Sequence, residues 1–189
     1  MSRPDLRINL DDATWRGLLA LAELYHTTPE RMVKSWAESE VTCRLGQMLA
    51  EMPAELVVPK VGRFVEVPAP EQYRCWTISD YRPTDADESL TVSLMVASGE
   101  LPPDFYFVAR TLRHWAELGR LARDTAVDKL ALPADTALGG PEVTFGSGRC
   151  WTLRFADCDA SGLTELGVLV EFNGTKVTGI DDLTDATEC

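Results

Sequence analysis

Hydrophobic and polar residues alternate singly from Leu6 to Leu10 and then recur in steps of three and four, so two different periods meet within the first forty residues. In an extended segment successive side chains fall on opposite sides, which puts Leu6, Ile8 and Leu10 on one face and Arg7 and Asn9 on the other. From there Trp15, Leu18, Leu19, Ala22 and Tyr25 repeat at helical spacing, behind the capping carboxylates of Asp11 and Asp12. This predicts a helix over 12–25. The next segment, His26-Thr27-Thr28-Pro29-Glu30, carries a second helix start, with Thr28 as cap, Pro29 at the first helical position and Glu30 at the positive end of the dipole. The stripe Met32, Val33, Trp36, Ala37 and Val41 belongs to that helix, which continues through Leu45, Met48 and Leu49 and stops before Pro53.

A lone strand has unpaired backbone along both edges and needs a partner. The order strand, helix, helix over Leu6 to Val41 resembles the ribbon-helix-helix family of DNA-binding proteins. In that family two chains pair their strands antiparallel, and the ribbon enters the major groove. The resemblance implies a homodimer in which Arg7 and Asn9 face the bases, since Arg suits guanine and Asn suits adenine. It also implies a phosphate site at the start of the second helix around Thr28, with Lys34 adding a further phosphate contact. Where the family usually has a Gly between its helices, this chain has Tyr25 and His26.

Beyond the helices, residues 53–73 contain Pro53, Pro59, Pro68 and Pro70 and read as a linker or an edge segment, with Val57-Val58 and Phe64 to Val67 as short strand pieces. Then the sequence repeats itself. Arg74-Cys75-Trp76-Thr77-Ile78 returns 75 residues later as Arg149-Cys150-Trp151-Thr152-Leu153, and Leu94 and Gly99 return as Leu169 and Gly174. Each copy, 74–101 and 149–176, reads as strand, acidic loop, strand and glycine turn, and Asn173-Gly174 is a strong hairpin signal. Duplication would relate the hairpins by a pseudo-twofold axis; the competing reading is chance identity around two ordinary strands. Between them Pro102-Pro103-Asp104 opens one long helix to about Asp128, apolar along Phe107, Val108, Thr111, Leu112, Trp115, Leu118 and Ala122. On its polar face Arg113 with Glu117, and Arg120 with Asp124, have the spacing of intrahelical ion pairs.

The expected fold class is therefore α+β: a ribbon-helix-helix-like strand-helix-helix module (1–52), the proline-rich segment (53–73), and an α+β domain (74–189) with two antiparallel hairpins and one long helix. Charge separates these parts. Met1 to Ala50 holds six basic and seven acidic residues, whereas Glu51 to Cys189 holds 12 and 23, within a total of -12 over 189 residues. The acidic region repels a phosphate backbone and suits a basic protein partner. Apolar runs of membrane-spanning length and a secretory leader are missing, and the five cysteines are odd in number without a C-x-x-C pair, which points to a cytoplasmic protein with reduced thiols.

Catalytic chemistry has little support. His26 and His114 are the only histidines, and no P-loop, dinucleotide fingerprint or nucleophile elbow is present. Cys158 lies between Asp157 and Asp159, whose charge disfavours a thiolate. The run Asp157 to Gly162 mimics the start of a calcium loop, but its twelfth position is Val168 where a bidentate Glu is needed, so no metal and no cofactor are expected. Two functions remain. One is a dimeric DNA-binding transcriptional regulator, an autorepressor or antitoxin-like protein, with a C-terminal effector- or partner-binding domain. The other is an acidic, immunity-like interaction or inhibitor protein whose N-terminal element only dimerises.

Overall fold

The computed structural model describes residues 8–159 and 166–183. Two compact units emerge, Met1–Arg44 and Leu45–Cys189. In the first, α1 (Asp12–Leu24) starts where Asp11, in extended conformation, accepts the Thr14 N–H on its carboxylate at 2.7 Å. It ends in a glycine-type cap without glycine. His26 takes φ +51°, its N–H donates to the Glu23 carbonyl, and the Thr27 N–H reaches back to Ala22. That paired closure satisfies the last carbonyls of a helix and usually needs Gly at the left-handed position. Thr28 then caps α2 (Pro29–Glu51), its Oγ1 accepting from the Arg31 N–H at 3.3 Å.

Among the described residues the N-terminal strand is not found, and Leu6 and Arg7 lie outside them. The first described residues, Ile8 to Leu10, form no strand, so the chain begins with two helices followed by strands rather than with strand, helix, helix. A strand is defined by the neighbour that pairs with its backbone, and the described chain offers this segment none. Alternation of side chains identified a segment able to extend, which is a weaker condition.

In the second unit, β1 (Glu55–Val58), β2 (Gly62–Val67), β3 (Tyr73–Tyr81) and β4 (Leu90–Ala97) form an antiparallel meander. Helices α3 (Phe105–Arg113) and α4 (Trp115–Lys129) carry the chain back, so that β5 (Leu138–Phe145) lies parallel to β4. A second meander follows through β6 (Cys150–Cys158), β7 (Val168–Asn173) and β8 (Lys176–Asp181). The result is one eight-stranded mixed sheet in sequence order, which contains both expected antiparallel hairpins, β3–β4 and β6–β7. Because β4 and β5 run the same way, β6 runs the same way as β3, and the two hairpins are displaced along the sheet instead of being related by a twofold axis. Their registers also differ: Trp76 pairs with Leu94, but Trp151 pairs with Phe172, while Leu169 pairs with Arg154. Residues 53–73 supply the edge strand β1 and its neighbour β2.

The expected long helix is two helices, broken at His114. Arg113 and Glu117 therefore sit in different helices, and Arg120 forms no ion pair with Asp124 among the described residues. The cationic partner that matters is Arg123, which donates from Nη2 to both oxygens of Glu88 at 2.9 and 2.8 Å and lies over the Phe155 ring. Alternate residues of β4 to β7 are buried, and this face packs with α3 and α4 around Trp76, Trp115, Trp151, Phe145 and Phe155. Buried indole N–H groups need acceptors. Trp76 finds the Pro53 carbonyl, Trp151 that of Gly174, and Trp115 the Glu88 carboxylate.

At the C-terminal end of α2, Arg74 donates to the Leu49 and Met52 carbonyls and grips Glu66 with two further hydrogen bonds, at 2.7 and 2.8 Å. These bonds hold the Glu66 carboxyl below its usual pKa and raise that of Arg74. Such a cation answers the orphan carbonyls that every helix end leaves. Among the described residues no helix is long and apolar enough to cross a membrane.

Candidate functional site

The N-terminal unit is built to cover something, as its side chains show. Leu18, Ala22 and Met32 are buried between its helices. Several other large apolar residues are exposed, Trp15 at 42%, Trp36 at 51% and Val41 at 57%, with Ile8 and Leu10 ahead of α1 at 53% and 39%, while Val33 is half-buried. The helical periodicity correctly placed these residues on stripes, but two helices alone have only one mutual face to bury.

The outward stripes shape two concavities. One, of about 450 Å³, is lined by Ile8, Leu10, Trp15, Leu18, Val33 and Ala37, with Pro29, Glu30, Lys34 and Glu38 contributing to its wall. The other, of about 370 Å³, runs along Leu21, Tyr25, Met32 and Trp36. Half-exposed tryptophans on a small unit are expensive in water, because apolar area returns roughly 25 cal/mol per Å² when covered. Patches of this kind mark an interaction surface.

The residues assigned to DNA contact fall unevenly around this surface. Arg7 lies outside the described residues. Asn9 is exposed, between the groove-lining Ile8 and Leu10. Thr28 occupies the cap of α2, but its hydroxyl oxygen is engaged by the Arg31 N–H and its carbonyl by Met32, so part of the first turn is satisfied internally. Glu30 adds an anion at the same end, and Pro29 has no N–H to offer. Lys34 is on the groove wall, 3.7 Å from Glu38 in a solvent-exposed pair. Arg44 is likewise paired with Glu40. The structure thus brings Lys34 to the same groove as Ile8 and Leu10 and leaves Thr28 at the helix turn as a structural cap. At the opposite end, the Asp11 carboxyl is held below its ordinary range by its hydrogen bond from the Thr14 backbone.

Among the described residues no group of three or more His, Cys, Asp or Glu is placed to hold a metal ion. Cys75, Cys150 and Cys158 form no disulfide among the described residues. Of the calcium-like run, Ala160 to Gly162 lie outside the described residues, and the Asp159 carboxylate accepts the Ala137 N–H. The chain matches no protein-family model, no curated protein and no solved structure.

Proposed function

We propose that this protein is a homodimeric DNA-binding regulator, an autorepressor or antitoxin-like protein, whose N-terminal unit joins two copies and whose acidic sheet domain binds an effector or partner. The observation that carries the proposal is the groove lined by the exposed Ile8, Leu10 and Trp15 and the half-buried Val33, an apolar wall that a second copy of the same unit would cover. A twofold interface is self-complementary, so one patch serves both sides. Dimerisation would bring two Asn9 residues and two copies of Arg7 close to one surface, and Arg and Asn are the side chains that pair with guanine and adenine by two hydrogen bonds. Two helices, α1 and α2, follow this segment, with Thr28 at the start of the second. On this reading the protein works in the cytoplasm, consistent with cysteines that form no disulfide among the described residues, and has no catalytic role.

The second reading, an acidic interaction or inhibitor protein, is favoured by a specific observation. Lys34 and Arg44 are already paired with Glu38 and Glu40, which lowers the charge available to phosphates. A fluorescence titration of labelled genomic fragments at two salt concentrations separates the readings. For the regulator, binding weakens steeply with salt, and the Arg7→Ala plus Asn9→Ala double variant loses sequence preference while staying dimeric. Absence of binding at low salt, with recovery of a basic protein by a chain lacking residues 1–50, establishes the second reading instead.

A further inference from the structure

The repeat in the sequence contains a comparison that the structure completes. Arg74 and Arg149 each stand two residues ahead of a buried Trp whose indole N–H donates to a backbone carbonyl. In the first copy the guanidinium has its anion built in, the doubly bonded Glu66. Glu66 stands opposite Trp76 across β2 and β3, whereas the residue opposite Trp151 on β5 is Phe145, which offers no such anion. Arg149 remains exposed, and no ion pair engages it among the described residues.

Arg149 borders a groove of about 430 Å³ between the α3–α4 junction and the turn at Gly174-Thr175. That volume is within the range of small-molecule sites, roughly 300–1,000 Å³. Phe107 and Leu118, each at least nine-tenths buried, supply apolar lining. Thr111 lines it too, and it is the single buried polar residue found among the described ones. Arg110 and His114 line the groove together with Arg149, and Arg110 has no ion-pair partner among the described residues. Glu117 is the one acidic residue of the lining. In a region where acidic residues outnumber basic ones 23 to 12, this groove reverses the local sign.

We infer that the groove binds a small organic anion, a carboxylate on a compact apolar body, with the carboxylate held by Arg149 and Arg110 and the apolar part against Phe107 and Leu118. Guanidinium pairs with carboxylate through charge-assisted, commonly bidentate bonds, and the Arg74–Glu66 pair displays that geometry inside the same protein. Thr111 offers a hydroxyl to a polar substituent. The inference gives chemistry to the effector reading of the sheet domain, yet it lies wholly in that domain, so its test is independent of DNA binding and of dimerisation.

The test is an amide NMR titration of the full chain with phenylbutyrate, with phenylbutanol as the neutral counterpart and inorganic phosphate as the anion without an apolar body. Saturable shifts centred on Thr111, His114, Gly174 and Thr175 are expected. Phenylbutanol, phosphate and the Arg110→Ala plus Arg149→Ala variant should each give binding at least about tenfold weaker, a difference of roughly 1.4 kcal/mol. Both arginines are exposed, so an unchanged circular dichroism spectrum is the check that the variant folds. Dispersed, unsaturated shifts would overturn the inference, as would equal affinity for phenylbutanol or undiminished binding by the folded double variant. Phosphate binding as tight as phenylbutyrate would overturn the apolar part of the assignment.

Discussion

The two units use the same kinds of residue in opposite ways. In the sheet domain the tryptophans are inside: Trp76 and Trp115 are 0% exposed, and each has a hydrogen-bond acceptor for its indole. In the helical unit Trp15 and Trp36 stand about half in solvent. One set closes its own core, with eight strands and two helices to share. In the other, large apolar side chains of both helices stay exposed. The difference shows that amphipathic periodicity reports which residues seek burial and is silent on whether the cover comes from the same chain.

Substitutions sharpen that contrast, beginning with the deepest. Trp115→Ala should cost the sheet domain about 3–5 kcal/mol in denaturant unfolding, because it opens a cavity in the core where the fully buried indole sat and removes its hydrogen bond to Glu88. The equivalent truncation Trp36→Ala should leave that unfolding transition where it is and act on self-association alone. Gly167→Ala comes next, at about 3 kcal/mol: φ is +82° there, and a Cβ would collide with the Phe155 carbonyl. Unfolding midpoints of purified variants check all three.

A smaller effect attaches to Arg123→Ala, expected to cost about 1–2 kcal/mol because it leaves the half-buried Glu88 carboxylate without its doubly bonded cation. The smallest is a pH effect. Glu66 has a folded pKa below its ordinary value of 4.5, owing first to hydrogen bonding by Arg74. Its contribution is therefore complete above the unfolded pKa and fades as pH falls through the folded one. Stability measured from pH 6 downward should drop less steeply below about pH 4.5 in Glu66→Gln than in the native chain.

The helix starts were legible from Asp11, Thr28 and Pro29, since capping is local chemistry written in adjacent residues. Strand positions around Trp76 and Trp151 were legible from alternation and from Asn173-Gly174, where Gly174 takes the φ of +65° that a tight hairpin needs. Other features depend on distant residues. The break at His114 carries neither Gly nor Pro, and the parallel β4–β5 pairing is a property of the crossover between 97 and 138. The turn at His26 was legible between the two helices, but its left-handed φ of 51° was not, because a non-glycine residue uncommonly adopts it. At the candidate sites, the apolar stripes were visible and their exposure was not. The arginine of the second repeat was visible too, but only the three-dimensional fate of Arg74 shows what Arg149 lacks.

Self-association is the direct measure of the claim on which the rest stands. Sedimentation equilibrium of the full chain over the micromolar range should return twice the 20.9 kDa chain mass, and Trp15→Glu plus Val33→Glu should return a single-chain mass with the sheet domain still folded. A mass of 20.9 kDa for the native chain at every concentration, or a dimer indifferent to those two substitutions, would contradict the account.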